Sequence, residues 1–152
     1  MRHRLLVVPL SVLLAAAPVQ SAPDGAKIYQ RCAACHLATG KGVPGAFPPL
    51  QSDVRALAGM PDGRRYLVLA VTRGLAGPIT VEGKTYRGMM PAQGGLDDES
   101  IAAVLTHVTG TIAGGGKGVK AFTAAEVKAA RESGATLDAA AVARLQPKLP
   151  AK

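Results

Sequence analysis

The sequence predicts a small all-α domain of about four helices with a short helical extension at its C-terminus. Three observations carry this expectation. Capped segments with apolar residues at helical spacing recur along the 152 residues, most clearly over 97–109. Aromatic residues make up only 3% of the chain and tryptophan is absent, so by itself a domain of this size would bury a thin core, which abundant alanine offsets only in part. The third is the stretch Cys32-Ala33-Ala34-Cys35-His36, around which the rest of the chain is organised.

Two thiols at this spacing, followed directly by an imidazole, are what covalent haem attachment requires: each sulfur adds to one vinyl group, and the next side chain reaches the iron. A haem at the centre would also supply the apolar bulk that the side chains lack. The same residues suit other chemistries less well. A thioredoxin-like redox pair belongs after a strand in a βαβ unit, and no such strand precedes Cys32. Zinc takes about four ligands, and beyond Cys32, Cys35 and His36 the chain keeps only His107 once a leader is removed. With two cysteines in all, the one disulfide open to the chain joins Cys32 to Cys35.

On this pentad and a downstream Met-Pro pair, Met90-Pro91, residues 24–110 resemble the class I c-type cytochromes. The resemblance implies an all-α, class I cytochrome c-like domain around one covalent haem c, attached through Cys32 and Cys35 and ligated by His36 and Met90. Met90 is preferred to Met89 because the family's ligand immediately precedes the proline, and Met89 is then expected to fill core space. The resemblance further implies that a proline carbonyl, matched best by Pro48, accepts the Nδ1 proton of His36, and that Gly25 allows the first and last helices of the domain to cross closely. The family usually has an aromatic residue where His107 stands. His107 is expected in a packing or surface role, with alternative iron ligation as the other reading.

Residues 1–21 read as a secretory leader. Arg2 and Arg4 form its charged start, 5–17 its apolar run, and Val19-Gln20-Ser21 precede a cut after Ser21. The run is shorter than the roughly 20 residues of a membrane span and is interrupted by proline. Export to the periplasm agrees with haem attachment, which in similar bacterial systems takes place outside the cytoplasm. The expected organisation is a signal peptide over 1–21, a cytochrome c domain over 22–113, and a Gly-rich joint with a helical extension over 114–152.

Within the domain, Asp24 caps a short helix over 24–31 on which Gly25, Ile28 or Tyr29, and Cys32 share a face. The glycines and prolines of 37–50 make a loop. Pro61 introduces and Gly74 closes a helix over 62–73 with Leu67, Ala70 and Val71 on its apolar face. Ile79-Thr80-Val81 and Lys84-Thr85-Tyr86 read as short strands about a Glu82-Gly83 turn, aiming the methionine that follows. Tyr86, Arg73 and Arg87 are candidates to reach haem propionates, with structural or solvated roles as the alternative. Asp97 caps the last helix of the domain, Asp98 and Glu99 favour its positive end, Ile101, Val104, Leu105 and Val108 make its stripe, and Gly110 ends it. Gly114-Gly115-Gly116 suggests a flexible joint, and a capping box of Thr123 with Glu126 opens the first of two short helices. Neither is long enough to be stable alone, so each must pack on the domain, on the other, or on a partner.

These readings imply an electron-transfer protein and not an enzyme: a periplasmic one-electron carrier whose haem iron cycles between Fe(III) and Fe(II), from a donor dehydrogenase to an acceptor such as an oxidase. The alternative is a cytochrome c subunit fixed to such a complex. A haem enzyme or gas sensor with an open sixth position fits less well, because a His36/Met90 pair fills both axial positions. The net charge is +8, and the excess sits at the end: residues 22–116 hold nine basic and seven acidic side chains, residues 117–152 seven basic and three acidic. The basic extension is therefore expected to attract an acidic redox partner. Nucleic acid is excluded as a partner, since no Lys/Arg run with stacking aromatics is present, and no membrane span remains after leader cleavage.

Overall fold

The computed structural model describes residues 21–149, so the leader expected over 1–21 lies, Ser21 apart, outside the described residues. The described residues form six α-helices and two small antiparallel strand pairs, with one π-turn and one short 3-10 turn. Helix α1, Gly25–His36, begins where the Asp24 carboxylate accepts from the backbone N–H groups of Ala26 and Lys27, at 2.9 and 3.2 Å. It runs past the expected end at residue 31, because Cys32 to Cys35 contain nothing that breaks a helix, and carries the whole pentad on its last turns. Leu37, with a φ of 63°, stops it.

Helix α2, Ser52–Ala58, was not legible as a helix, being only seven residues long; it buries Val54, Leu57 and Ala58. Helix α3, Pro61–Arg73, has Pro61 in its first turn and Gly74 beyond its end at a φ of 80°. A Cβ on Gly63 would overlap the Leu57 backbone, so the two helices meet at this glycine. Two residues of β1, Leu75–Ala76, pair with β4, Met89–Met90; between them β2, Ile79–Val81, pairs with β3, Lys84–Tyr86.

Helix α4, Asp98–His107, is capped by the Asp97 carboxylate, which accepts from Ser100 N–H at 2.7 Å. It crosses α1 at Gly25, where a Cβ would overlap the Ala103 carbonyl. The contact is close even without the usual aromatic residue, for the His107 ring lies against Tyr29 with centroids 5.5 Å apart and planes inclined at 56°. Gly110 does not end the helical path. The backbone widens into one π-turn, Val108–Ile112, closed by Ala113 N–H to Val108 C=O at 2.8 Å, and Gly110 does not take the positive φ that would stop it.

The three glycines that follow form a folded turn, with Gly115 N–H donating to Thr109 C=O at 3.1 Å and Arg55 donating to Ala113 C=O at 2.9 Å. Helix α5, Ala124–Ser133, then packs on α3 and α4, and α6, Ala139–Arg144, packs on α3 and β1. Val127 and Val142 of these helices are fully buried in the same hydrophobic core as Leu69 and Ile101. The capping box is half made. Thr123 Oγ1 accepts from Glu126 N–H at 3.2 Å, but the Glu126 carboxylate turns to Arg64 instead of its own helix start.

Arg64 is the principal tie between α3 and the extension. Its Nε and Nη2 donate to Glu126 at 2.5 and 2.8 Å, Nη1 donates to the Lys120 carbonyl at 2.9 Å, and Nη2 to that of Ala121 at 3.1 Å. The guanidinium lies 3.8 Å over the Phe122 ring. Arg65 bonds Ser133, and Arg73 bonds the Ala135 and Leu137 carbonyls. The bonds from Arg64 hold the Glu126 carboxyl below the usual carboxylate range, against a smaller opposing effect of burial. A depressed carboxyl contributes stability above its unfolded value and loses it as the pH falls through the folded value. Arg64→Ala should destabilise the protein by about 2–3 kcal/mol in guanidinium unfolding. The stability difference between wild type and Glu126→Gln should be constant above the ordinary value of 4.5 and shrink progressively below it, until the pH has passed the depressed folded value.

Candidate functional site

The His36 side chain is 7% exposed, at the C-terminal end of α1. Its Nδ1 lies 2.9 Å from the Pro48 carbonyl, which can only accept, so Nδ1 carries the proton and Nε2 the free lone pair. Burial pushes the His36 pKa down, with the Pro48 bond opposing, and the neutral ring is the stable form near pH 7. Pro48 reaches the ring because the loop folds back on itself: Gly42 N–H donates to His36 C=O at 3.0 Å, and Val43 bridges Phe47. Gly42 has a φ of 63°, and a Cβ there would overlap the Phe47 and Pro48 carbonyls. This glycine was simple loop punctuation in the sequence, and it permits the bond on which the imidazole depends.

His36 borders an open, apolar cleft of about 830 Å³, lined also by Cys32, Pro48, Tyr66, Leu67 and Met90. A smaller recess of about 510 Å³ shares His36, Pro48 and Met90 and adds Cys35, Phe47 and Met89, so the two are parts of one site. Cys32 and Cys35 are free thiols, and burial raises the Cys32 pKa.

Met90 enters the cleft from β4, where it pairs with Leu75. A Cβ on Gly74 would crowd the Met90 carbonyl, so the glycine that ends α3 also lets the methionine segment approach. Met89 does not fill core space as expected. It is 74% exposed at the rim, because successive side chains of a strand turn to opposite faces and only one of the pair can point inward. His107 is spent on the Tyr29 contact outside the cleft, and Arg73 serves the extension. Tyr86 is buried and borders the recess, while Arg87 is exposed.

Tyr66 was missed by sequence reasoning, which saw it as one more residue of a helix. It is 4% exposed, borders the cleft, and its hydroxyl has no hydrogen-bond partner among the described residues. Burial pushes its pKa up to about 12, so it remains a donor. Among the described residues no three His, Cys, Asp or Glu side chains are gathered to hold a bare metal ion. The donor set is instead one imidazole, one thioether and two thiols around a hydrocarbon-lined space with one waiting hydroxyl. Those groups fit a haem, with a large apolar body, a metal needing two axial donors and polar substituents at its edge.

The cytochrome c family model matches residues 22–111. The chain belongs to the cytochrome c family. It is 50% identical over 111 residues to cytochrome c-552 of Thermus thermophilus, covering 71% of this chain and 84% of that one. A second cytochrome c-552, from a named strain of Thermus thermophilus, is likewise 50% identical over 111 residues, covering 71% of this chain and 74% of that one. Membership makes this cytochrome an electron carrier and implies a covalent haem c. No helix among the described residues is long and apolar enough to cross a membrane.

Tyr66→Phe tests the fit of the cleft. In the haem-loaded protein, loss of a donor that has gained a partner should lower unfolding stability by about 1 kcal/mol. Unchanged stability in guanidinium titration would mean that the hydroxyl meets nothing in the loaded cleft.

Proposed function

We propose that this cytochrome is a periplasmic one-electron carrier whose haem c is attached through Cys32 and Cys35 and ligated by His36 and Met90. The observation that carries the reading is the convergence on one apolar cleft of two free thiols, a half-buried thioether and a buried imidazole whose Nδ1 proton is engaged by Pro48. When bound, the haem supplies the one-electron couple, Fe(III)/Fe(II). The chain's own groups set the conditions for it. Pro48 holds the His36 ring in one orientation and strengthens Nε2 as a donor. Leu67, Ala70, Val104 and Leu105 line the cleft with hydrocarbon and exclude water. A neutral thioether favours the reduced state more than a second imidazole would. With His36 and Met90 both given to the iron, no position would be left for oxygen or a substrate, which supports electron transfer as the function.

The charged start and apolar run of residues 1–17 support export, with cleavage after Ser21. Lys120, Lys128, Arg144 and Lys148 of the extension are exposed and support docking of an acidic face on a donor dehydrogenase or an acceptor oxidase. Arg131 adds less to that attraction, since its Nε lies 2.7 Å from Asp98. The extension is packed, so its charges act from set positions and not from a loose arm.

The ligand assignment is tested in the oxidised protein by the near-infrared sulfur-to-iron charge-transfer band. The band should vanish in Met90→Ala and persist in Met89→Ala. The reverse result would transfer the assignment to Met89, and persistence in both would remove sulfur of either residue from the iron.

A further inference from the structure

We propose that Gln146 is a positioning residue that fastens one wall of the cleft, an inference that rests on the cleft holding haem. Gln146 lies just beyond α6, and its side-chain amide meets Thr80 twice. Oε1 accepts from Thr80 N–H at 2.9 Å, and Nε2 donates to Thr80 C=O at 2.6 Å. Only this orientation of the amide satisfies both bonds. Thr80 is the middle residue of β2, opposite Thr85 of β3. In an antiparallel pair, alternate residues turn their backbone groups toward the partner strand and away from it. Thr80 turns both away, to the free edge of β2, and the Gln146 amide occupies the place of a third strand.

The strand so held is part of the cleft. Ile79 and Val81, on either side of Thr80, both line it, and so does Gln146 itself. A hairpin of two three-residue strands is marginal alone, so its position depends on what fastens it. Its tip is tied to the start of α2: the Glu82 carboxylate accepts from Ser52 N–H at 3.0 Å and from the Ser52 hydroxyl at 2.7 Å, and Glu82 N–H donates to Asp53 at 2.6 Å. Its edge is tied by Gln146. The extension delivers that residue, with α6 packed on α3 and β1, Arg73 bonded to the Ala135 and Leu137 carbonyls, and Leu149 packed on the core beyond.

Release of the edge would let β2 open and admit water to the cleft. Water stabilises the more highly charged oxidised state, so the reduction potential should fall. The helical extension therefore acts on the redox couple through one amide, beyond its part in the fold.

The test compares haem-loaded wild type with Gln146→Leu, which keeps the bulk and loses both bonds, and Gln146→Glu, which keeps an acceptor for Thr80 N–H but cannot donate to Thr80 C=O near pH 7. Arg65→Ala removes ties of the same extension to Ser133 and leaves the Gln146 and Ser52 bonds to the hairpin in place. Hydrogen exchange at Thr80 N–H should quicken roughly tenfold in Gln146→Leu and less in Gln146→Glu. At the wild-type midpoint, the ratio of oxidised to reduced Gln146→Leu should rise about threefold or more, while Arg65→Ala loses stability with its midpoint unmoved. Unchanged exchange and midpoint in Gln146→Leu, or an equal midpoint shift in Arg65→Ala, would overturn the positioning role while leaving the proposed function intact. A wild-type chain that takes up no haem would overturn both.

Discussion

Too little side-chain volume stands at the centre of this chain for its helices to close on one another. Two phenylalanines, three tyrosines and no tryptophan are available, and of these Tyr29 is used at the α1–α4 crossing and Phe122 beneath Arg64. The helices instead meet at small residues around the periphery. Gly25 lets α1 cross α4, and Gly63 lets α3 approach α2. What they enclose is a hydrocarbon-lined cleft, with the ends of α1 and β4 turned into it. The deficit of bulk and the position of His36 and Met90 are one arrangement. A covalent haem, which membership of the cytochrome c family implies, would both fill the space and use the donors.

The extension shows how basic side chains can build structure and still leave charge at the surface. Arg64, Arg65 and Arg73 project from α3 and take carbonyls and one carboxylate of the chain beyond residue 119, while Arg131 reaches back from α5 to Asp98 and the carbonyls of Leu96 and Gly94. Arginine suits this work because its planar fork serves several acceptors at once. Among the described residues the side chains of the exposed lysines take no part in these ties, Lys120 entering them only through its carbonyl. The basic side chains of the extension thus divide between Arg131, which fastens it, and lysines left exposed at the surface.

Much of this was legible in the sequence, and the reasons differ from element to element. The pentad, the caps at Asp24 and Asp97, and the Pro61 and Gly74 punctuation of α3 are local signals, and each stands where the sequence indicates. The Pro48 bond to His36 came from family resemblance and is present at 2.9 Å. Helix α2 escaped notice because seven residues carry too little periodicity. Met89 was misjudged because methionine pairs read as core until the strand that separates them is known. Tyr66, Gln146 and Gly42 matter through residues far away in sequence or through backbone geometry, which spacing along the chain does not reveal. Glu126 illustrates the same limit: its local pattern indicates a capping box, and a long-range guanidinium wins the carboxylate.

Carrier function, the filled cleft and the fastened hairpin all depend on haem bound covalently to the end of α1. Proteolysis of denatured protein from haem-competent cells, followed by mass spectrometry of the peptide spanning Cys32 to His36, measures this directly. The expected result is one peptide bearing a single haem joined to both cysteines, with the haem retained through acid-acetone extraction. Recovery of that peptide with two free thiols, or with the cysteines joined to each other, would contradict it.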